Sequence, residues 1–364
     1  MKILYAIQGT GNGHISRARD IIPLLQLKCE LDILVSGTEA EVQLPYPIKY
    51  TFKGLSFVFG KKGGIDLLAT YKKSNLKRLY HEIKSLDVDQ YDLVINDFEP
   101  VSAWACKLQL KECIGLSHQA AIINKKSPKP KKKDLVGAIV LKNYAPVSQE
   151  FGFHFEAYDK NIFSPVIRHQ IREAKPVDDG HYTVYLPAYS DSRIIKILTN
   201  VKEVKWEVFS KHALKAFTEK NVHIYPINNE SFIESMVTST GVLCGAGFET
   251  PAEAMFLKKK LLVVPMKGQY EQQCNAAALQ QLGITVVKKL KSKNIEKIRH
   301  WVNFTKNLSM EYPDITAHVL DEVFLKYHEL KNVAQEITLG EATTTLKKFK
   351  DLNLGRIMSQ ISGR

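Results

Sequence analysis

The sequence has no run approaching the roughly 20 apolar residues that a membrane-spanning helix needs. It has no C-x-x-C pair: its five cysteines, Cys29, Cys106, Cys113, Cys244 and Cys274, are odd in number and scattered. That pattern speaks against a zinc ribbon and a disulfide framework and fits a reducing compartment. No secretory leader is visible, because the short apolar run after Lys2 leads straight into a glycine loop with no small-residue cleavage site; a cytoplasmic protein is expected. A G-K-[S/T] phosphate loop is missing, and no His, Cys, Asp or Glu cluster has metal-ligand spacing, so no metal or other cofactor is expected. Aromatic and basic residues do not interleave and no nucleic-acid module is recognisable, which speaks against a nucleic-acid partner. Acidic residues are scarce: 38 against 51 lysines and arginines leave a formal charge of +13. Such an excess favours an anionic partner, whether nucleotide, phosphate head group or nucleic acid, without choosing among them.

What is present is a rhythm. A chain of 364 residues exceeds one ordinary core and points to two domains. Short apolar runs alternate with amphipathic stretches, the pattern of a parallel α/β sheet. "KILYAI", "LDILVSG", "YDLVIND" and "ECIGLSH" read as strands. "HISRARDIIPLLQL" reads as a helix with Ile15, Ala18, Ile21, Ile22 and Leu25 on one side. The rhythm restarts at "HYTVYLPAY" and continues through "KWEVFS", "VHIYPI", "GVLCGAG" and "KLLVVPM". The expected organisation is a first Rossmann-like domain at 1–167, a polar linker at 168–180, a second Rossmann-like domain at 181–332 and a polar tail at 333–364. The two domains would face each other across a ligand-binding cleft.

The first strand runs into "IQGTGNGH", with Gly9, Gly11 and Gly13 at alternate positions and His14 behind them. A dinucleotide fingerprint needs G-x-G-x-x-G and an acid at the end of the second strand. Here His14 replaces the third glycine and the second strand ends at Ser36 and Gly37. Taken alone, the loop is a tight strand-to-helix turn or an anion site.

"CGAGFETPAEAMFLKKKLLVVPMKGQYEQQCNA" (244–276) is more specific. Gly245 and Gly247 follow a strand, and Thr250-Pro251-Ala252-Glu253 has the form of a capping box with proline at the first helical position. Backbone N–H groups and the helix dipole there suit a diphosphate. A buried strand, "LLVVP", and a polar loop, "MKGQYEQQCNA", come next. This segment resembles the donor-binding region of the nucleotide-sugar glycosyltransferases of the two-domain GT-B fold, among them the plant and macrolide glycosyltransferases and the peptidoglycan N-acetylglucosaminyltransferase. The matching positions are Gly247, Thr250, Glu253, Val264-Pro265 and Glu271-Gln272-Gln273-Cys274-Asn275-Ala276. "IQGTGNGH" and "VINDFEP" resemble the N-terminal loop and aspartate-bearing strand end of the same families.

The resemblance implies roles. Glu253 would hold the ribose hydroxyls, while Gly245, Gly247 and Thr250, with Gly11 and Gly13 opposite, would face the diphosphate. Glu271 and Gln272 would contact the donor sugar, and Ile227 in "YPINNESF" the base. His14 would take the acceptor's proton and Asp97 would orient it, histidine being the side chain whose ordinary pKa, about 6.5, suits proton transfer near neutrality. UDP is the commonest donor nucleotide in these families. The implied activity is transfer of a sugar from a UDP-sugar to an acceptor hydroxyl, inverting and metal-independent. Glu249 stands where the plant enzymes have asparagine, and a carboxylate at a phosphate site requires that it point away.

Two other readings compete. A nucleotide-sugar 2-epimerase shares the fold, and the charge alone allows a nucleic-acid-binding protein. "DVD" (87–89) reads as a solvated turn rather than a metal motif. The basic loop "NKKSPKPKKKD" (124–134) and "KKLKSK" (288–293) are candidates for contact with an anionic membrane surface at ~1 kcal/mol per lysine, which would suit a lipid-linked acceptor on the inner face. Acceptor contacts are expected from loops of the first domain such as residues 57–74.

Overall fold

A computed structural model of the chain describes residues 1–37, 44–55, 75–132, 134–304 and 306–333. The segment at 57–74, Lys133 and the tail beyond 333 therefore lie outside the described residues. Residues Met1–Ala317 form one compact unit and His318–Arg364 a second, of which 318–333 are helical.

The described residues of the first unit hold two seven-stranded sheets. In the first, β1 (Lys2–Gln8), β2 (Glu30–Ser36), β3 (Tyr50–Phe52), β4 (Leu93–Asp97), β5 (Cys113–Ser117), β6 (Gln149–Phe153) and β7 (Ile162–Phe163) lie in the order β3-β2-β1-β4-β5-β6-β7. All its pairings are parallel. Ile3 to Ile7 of β1 are fully buried, as expected of a strand covered on both faces. The helix Asn12–Gln26 buries Ile15, Ala18, Ile21, Ile22 and Leu25 against it, the face that the sequence predicts.

In the second sheet, β8 (His181–Tyr185), β9 (Lys205–Ser210), β10 (Phe217–Glu219), β11 (Val222–Pro226), β12 (Gly241–Gly245), β13 (Lys260–Val264) and β14 (Thr285–Val286) run in the order β10-β11-β9-β8-β12-β13-β14. Only the β10–β11 pairing is antiparallel. Tyr182, Trp206 and Trp301 pack edge to face and stacked in its core.

The strands that the sequence did not announce are β3, β6, β7, β10 and β14. Four of them span two or three residues, too short for a period to show. β6 carries Gly152, where a Cβ would meet the Ala121 backbone nitrogen at 2.6 Å. The helix His118–Ile123 lies that close, so the glycine that weakens the strand signal is what admits the helix.

Each sheet has a point where the chain reverses its direction of growth. The first strand run moves away from β1 through β2 and β3, and β4 returns to its other side, pairing Ile7 with Asp97. In the second sheet β12 returns beside β8, pairing Cys244 with Tyr185. The crevices beyond the carboxyl ends of such strand pairs are where open α/β sheets bind ligands.

Candidate active site

At the first crevice β1 gives way to Gly9, whose amide donates to the Ser36 carbonyl at 2.6 Å. Gly11 then turns the chain at φ 108, a conformation that side chains rarely adopt, and the helix begins at Asn12. His14 falls in its first turn. Across from it β4 ends at Asp97, and the next residue, Phe98, is held in the left-handed region at φ 57. For a bulky residue that costs on the order of 1–3 kcal/mol. The turn brings the Phe98 ring parallel to His14, with centroids 6.5 Å apart, and against Tyr144 at 4.8 Å. Glu99 completes it by accepting from the Val101 and Ser102 amides at the start of the helix Pro100–Gln109.

His14 Nδ1 lies 2.8 Å from Asp97 Oδ1. With its Nδ1 proton on that carboxylate, the ring presents the Nε2 lone pair outward, where Gln119 Nε2 approaches to 3.4 Å. Gln119 Nε2 also donates to Glu271 Oε2 at 3.0 Å, so a single amide lies between the two carboxylate-bearing sides of the site. Asp97 is fully buried and Arg17 nearly so. Arg17 Nη2 reaches both Asp97 oxygens at 2.7 and 2.8 Å, and Nη1 donates to Glu249 Oε1 at 2.6 Å. Burial pushes the Asp97 carboxyl upward, but Arg17 and then His14 outweigh it and hold it below the usual carboxylate range.

Glu249 is thus held on Arg17 and lies against Gly13, one of the glycines that the resemblance would have face the diphosphate. Gly13 makes that possible, since a Cβ there would run into the Glu249 carboxylate. The helix Glu249–Phe256 begins two residues earlier than a Thr250-x-x-Glu253 box would have it. Phe248 is its N-cap, with no side-chain cap bond. Thr250 and Pro251 are thus inside the first turn, and the expected capping box does not form. Gly245 and Gly247 precede this helix. A Cβ on Gly247 would meet no described atom within 4 Å, and one on Gly245 would meet only the Gln272 amide, at 3.6 Å.

Glu253 is buried and ion-paired to Arg168, Nε to Oε1 at 2.5 Å and Nη2 to Oε2 at 2.7 Å, while Arg168 Nη1 donates to Asn229 Oδ1. Each carboxylate oxygen retains a second lone pair for another donor. Glu271 and Gln272 lie not in a loop, as the sequence suggests, but in the first turn of the helix Tyr270–Gln281. Gln272 Oε1 accepts from the Met266 amide. Ile227 is half-buried just after β11, tied by its amide to the Ser210 carbonyl. Among the described residues no three His, Cys, Asp or Glu side chains are grouped so as to hold a metal ion.

Four residues beyond those named from the sequence complete the picture. Arg17 follows His14 at i+3 on one helix, and a charged residue between the buried positions Ile15 and Ala18 was the available signal. His118 stacks on Phe248 at 3.8 Å, and its ring nitrogens face the Phe153 carbonyl and Asn275 Oδ1, both at 2.8 Å. Gln119 is next in the chain, and nothing local singles it out. Arg168 lies in the polar linker, where an arginine is unremarkable until Glu253 is placed beside it. Arg168→Met should destabilise the fold by about 3–5 kcal/mol, because the buried Glu253 charge loses its partner. Chemical denaturation of R168M, E253L and the double variant checks this, and the double variant should recover much of the loss.

Comparison with known proteins follows the same outline. The family model described as glycosyl transferase family 1 matches residues 1–306. No curated protein sequence matches. Among solved structures, Phytolacca americana UGT2 complexed with UDP-2-fluoro-glucose and pterostilbene is 12% identical, covering 90% of this chain and 99% of that one, with a TM-score of 0.54. Arabidopsis thaliana UGT89C1 complexed with UDP is 13% identical over 90% of this chain and 94% of its own, with a TM-score of 0.53. Acinetobacter baumannii MurG is 15% identical, covering 88% and 98%, with a TM-score of 0.50. At these identities the likeness is one of fold.

Proposed function

This chain belongs to glycosyl transferase family 1 and has the GT-B fold, and from that premise we propose that it moves a sugar from a UDP-sugar to an acceptor hydroxyl, with inversion and without a metal. The observation that carries the reading is the His14–Asp97 pair at the first crevice, joined through Gln119 to Glu271 of the second. Residues 1–167 are the acceptor domain in this reading and 181–332 the donor domain. The UDP and UDP-2-fluoro-glucose in two of the fold relatives support the choice of nucleotide.

His14 Nε2 takes the acceptor's hydroxyl proton and Asp97 steadies the resulting imidazolium. The freed oxygen attacks the anomeric carbon from the face opposite the nucleotide. The bond from that carbon to the diphosphate breaks, and the electron pair leaves with the nucleotide. Backbone N–H groups of the Gly245–Gly247 turn and the start of the helix Glu249–Phe256, with Thr250, receive the added charge in the role that a cation fills elsewhere. Gly11, where a Cβ would meet no described atom within 4 Å, leaves backbone free to approach from the other side, while the space beside Gly13 is taken by the Glu249 carboxylate. Glu253, oriented by Arg168, accepts from the ribose hydroxyls; Glu271 and Gln272 hold the sugar, and Ile227 lies against the base. The acceptor is lipid-linked and met at an anionic membrane surface, a reading that the lysine excess supports; no described helix is long and apolar enough to cross a bilayer.

The test is thermal stabilisation by a panel of UDP-, GDP- and dTDP-sugars, with NAD and ATP as controls. A ligand of the native state at a hundredfold excess over Kd adds about 2.7 kcal/mol. UDP-sugars should raise the melting temperature of the wild type and fail to raise that of Glu253→Ala. Stabilisation by NAD or ATP alone, or an undiminished response in E253A, would count against the donor site.

A further inference from the structure

The helix Leu135–Tyr144 has two finished faces, and only one of them serves the fold. Toward the protein, Gly137 sits so close to Tyr270 that a Cβ would stand 2.7 Å from the Tyr270 Cβ. At the helix end Tyr144 is buried and its hydroxyl accepts from Gln8 Nε2. Away from it, Leu135, Val136 and Ile139 are 68%, 53% and 62% exposed. Their spacing, followed by exposed Lys142 and Asn143, traces one stripe along the helix. Exposed apolar side chains are ordinary when scattered, but three of them gathered on one face mark a contact surface.

The charge around the stripe says what covers it. Residues 125–144 hold seven lysines and a single acid, Asp134, and that carboxylate is spent capping the helix on the Gly137 amide. Lys131 and Lys132 are exposed just before the apolar residues and Lys142 just after them. Lys129, by contrast, turns inward and donates to the carbonyls of Ile122, Asn124 and Ser127, so it plays no part in the surface. The surface continues through Trp104, which donates to the Tyr144 carbonyl and lies under Lys107. Leu108, 51% exposed, follows one turn on. Apolar side chains flanked by lysines on a helix that lies flat are what an anionic bilayer interface accepts.

We propose that this face, centred on Leu135, Val136 and Ile139, docks the enzyme on an anionic lipid surface. The inference rests on the reading of a lipid-linked acceptor, and it gives that reading a geometry. Tyr144, on the same helix, stacks on Phe98, which stacks on His14. Gly137 touches Tyr270, the neighbour of Glu271. The helix that carries the docked face thus also carries a residue in contact with the reacting groups' neighbours, which places the lipid surface and the site on opposite sides of one element.

Co-sedimentation of the full chain with vesicles tests it, comparing phosphatidylcholine alone with phosphatidylcholine containing about one-third phosphatidylglycerol, at physiological salt. The wild type should bind the anionic vesicles and leave the neutral ones. L135S/I139S should lose at least about tenfold in affinity, the serines having no acyl region to prefer. K131Q/K132Q should lose about 25-fold, from about fivefold per lysine. Absence of wild-type binding to the anionic vesicles, or binding that both variants retain, overturns the proposal. So does a wild-type dimer in analytical ultracentrifugation that L135S/I139S turns into monomer, because the face would then belong to a second copy. Stabilisation by UDP, measured on the same samples, separates the two readings: it persists if docking alone is wrong and vanishes if the donor site is wrong. Should L135S/I139S fail to fold, K131Q/K132Q, altered only at exposed side chains, decides the matter.

Discussion

His14→Ala is expected to cut turnover by about 10²–10⁴-fold while leaving stabilisation by UDP at its wild-type value. In the proposed reaction the imidazole takes the acceptor's proton, and its removal leaves the second sheet's glycine turn, Glu253 and Arg168 in place. Steady-state transfer assays beside thermal shifts check both halves. A variant that turns over at the wild-type rate assigns the base to another group. Asp97→Asn should follow the same pattern with a smaller loss, since the amide still contacts Nδ1 but no longer offsets a positive ring.

Arg17→Met is expected to produce the largest fall in stability, about 3–5 kcal/mol or more, read from urea denaturation. The guanidinium is the shared partner of Asp97 and Glu249, and its loss strands the fully buried Asp97 carboxylate and takes the partner from the partly exposed Glu249. The pH dependence has a defined sign. The folded Asp97 carboxyl lies below its ordinary value, so its contribution to stability is fully present above about pH 4 and is lost as pH falls toward the lowered folded value. In R17M burial loses its main opponent and that contribution shrinks. The slope of stability against pH below about 4 should flatten relative to the wild type. An unchanged slope and a loss under about 1 kcal/mol would show the pair to be energetically idle.

Much of the fold is legible in the sequence alone. The buried strands announce themselves because a parallel sheet covered on both faces needs continuous apolar runs, and the helix behind Gly13 because its apolar residues keep the helical period. His14 and Asp97 stand out because they end a glycine turn and a strand, positions fixed by local chain geometry. What escaped depends on partners distant in sequence. Arg168 meets Glu253 85 residues away, and Arg17 meets Glu249 232 residues away. No window of sequence holds either pair. The capping box misled for a related reason: Thr250, Pro251 and Glu253 fit the local rule, but Phe248, packed on His118, begins the helix two residues earlier. The basic loop reads as a candidate surface contact along its length, and nothing local shows that Lys129 folds back on three carbonyls.

The cluster around Arg17 also has an arithmetic of its own. With His14 neutral, one guanidinium is set against the carboxylates of Asp97 and Glu249, and the group as a whole is one unit negative. When His14 accepts a proton in the proposed reaction, the sum becomes zero. In that reaction a cluster whose Asp97 is fully buried and whose Glu249 is partly exposed starts in deficit by one positive charge, and the acceptor's own proton fills it. A site so arranged is discharged, not charged, by the step proposed for it.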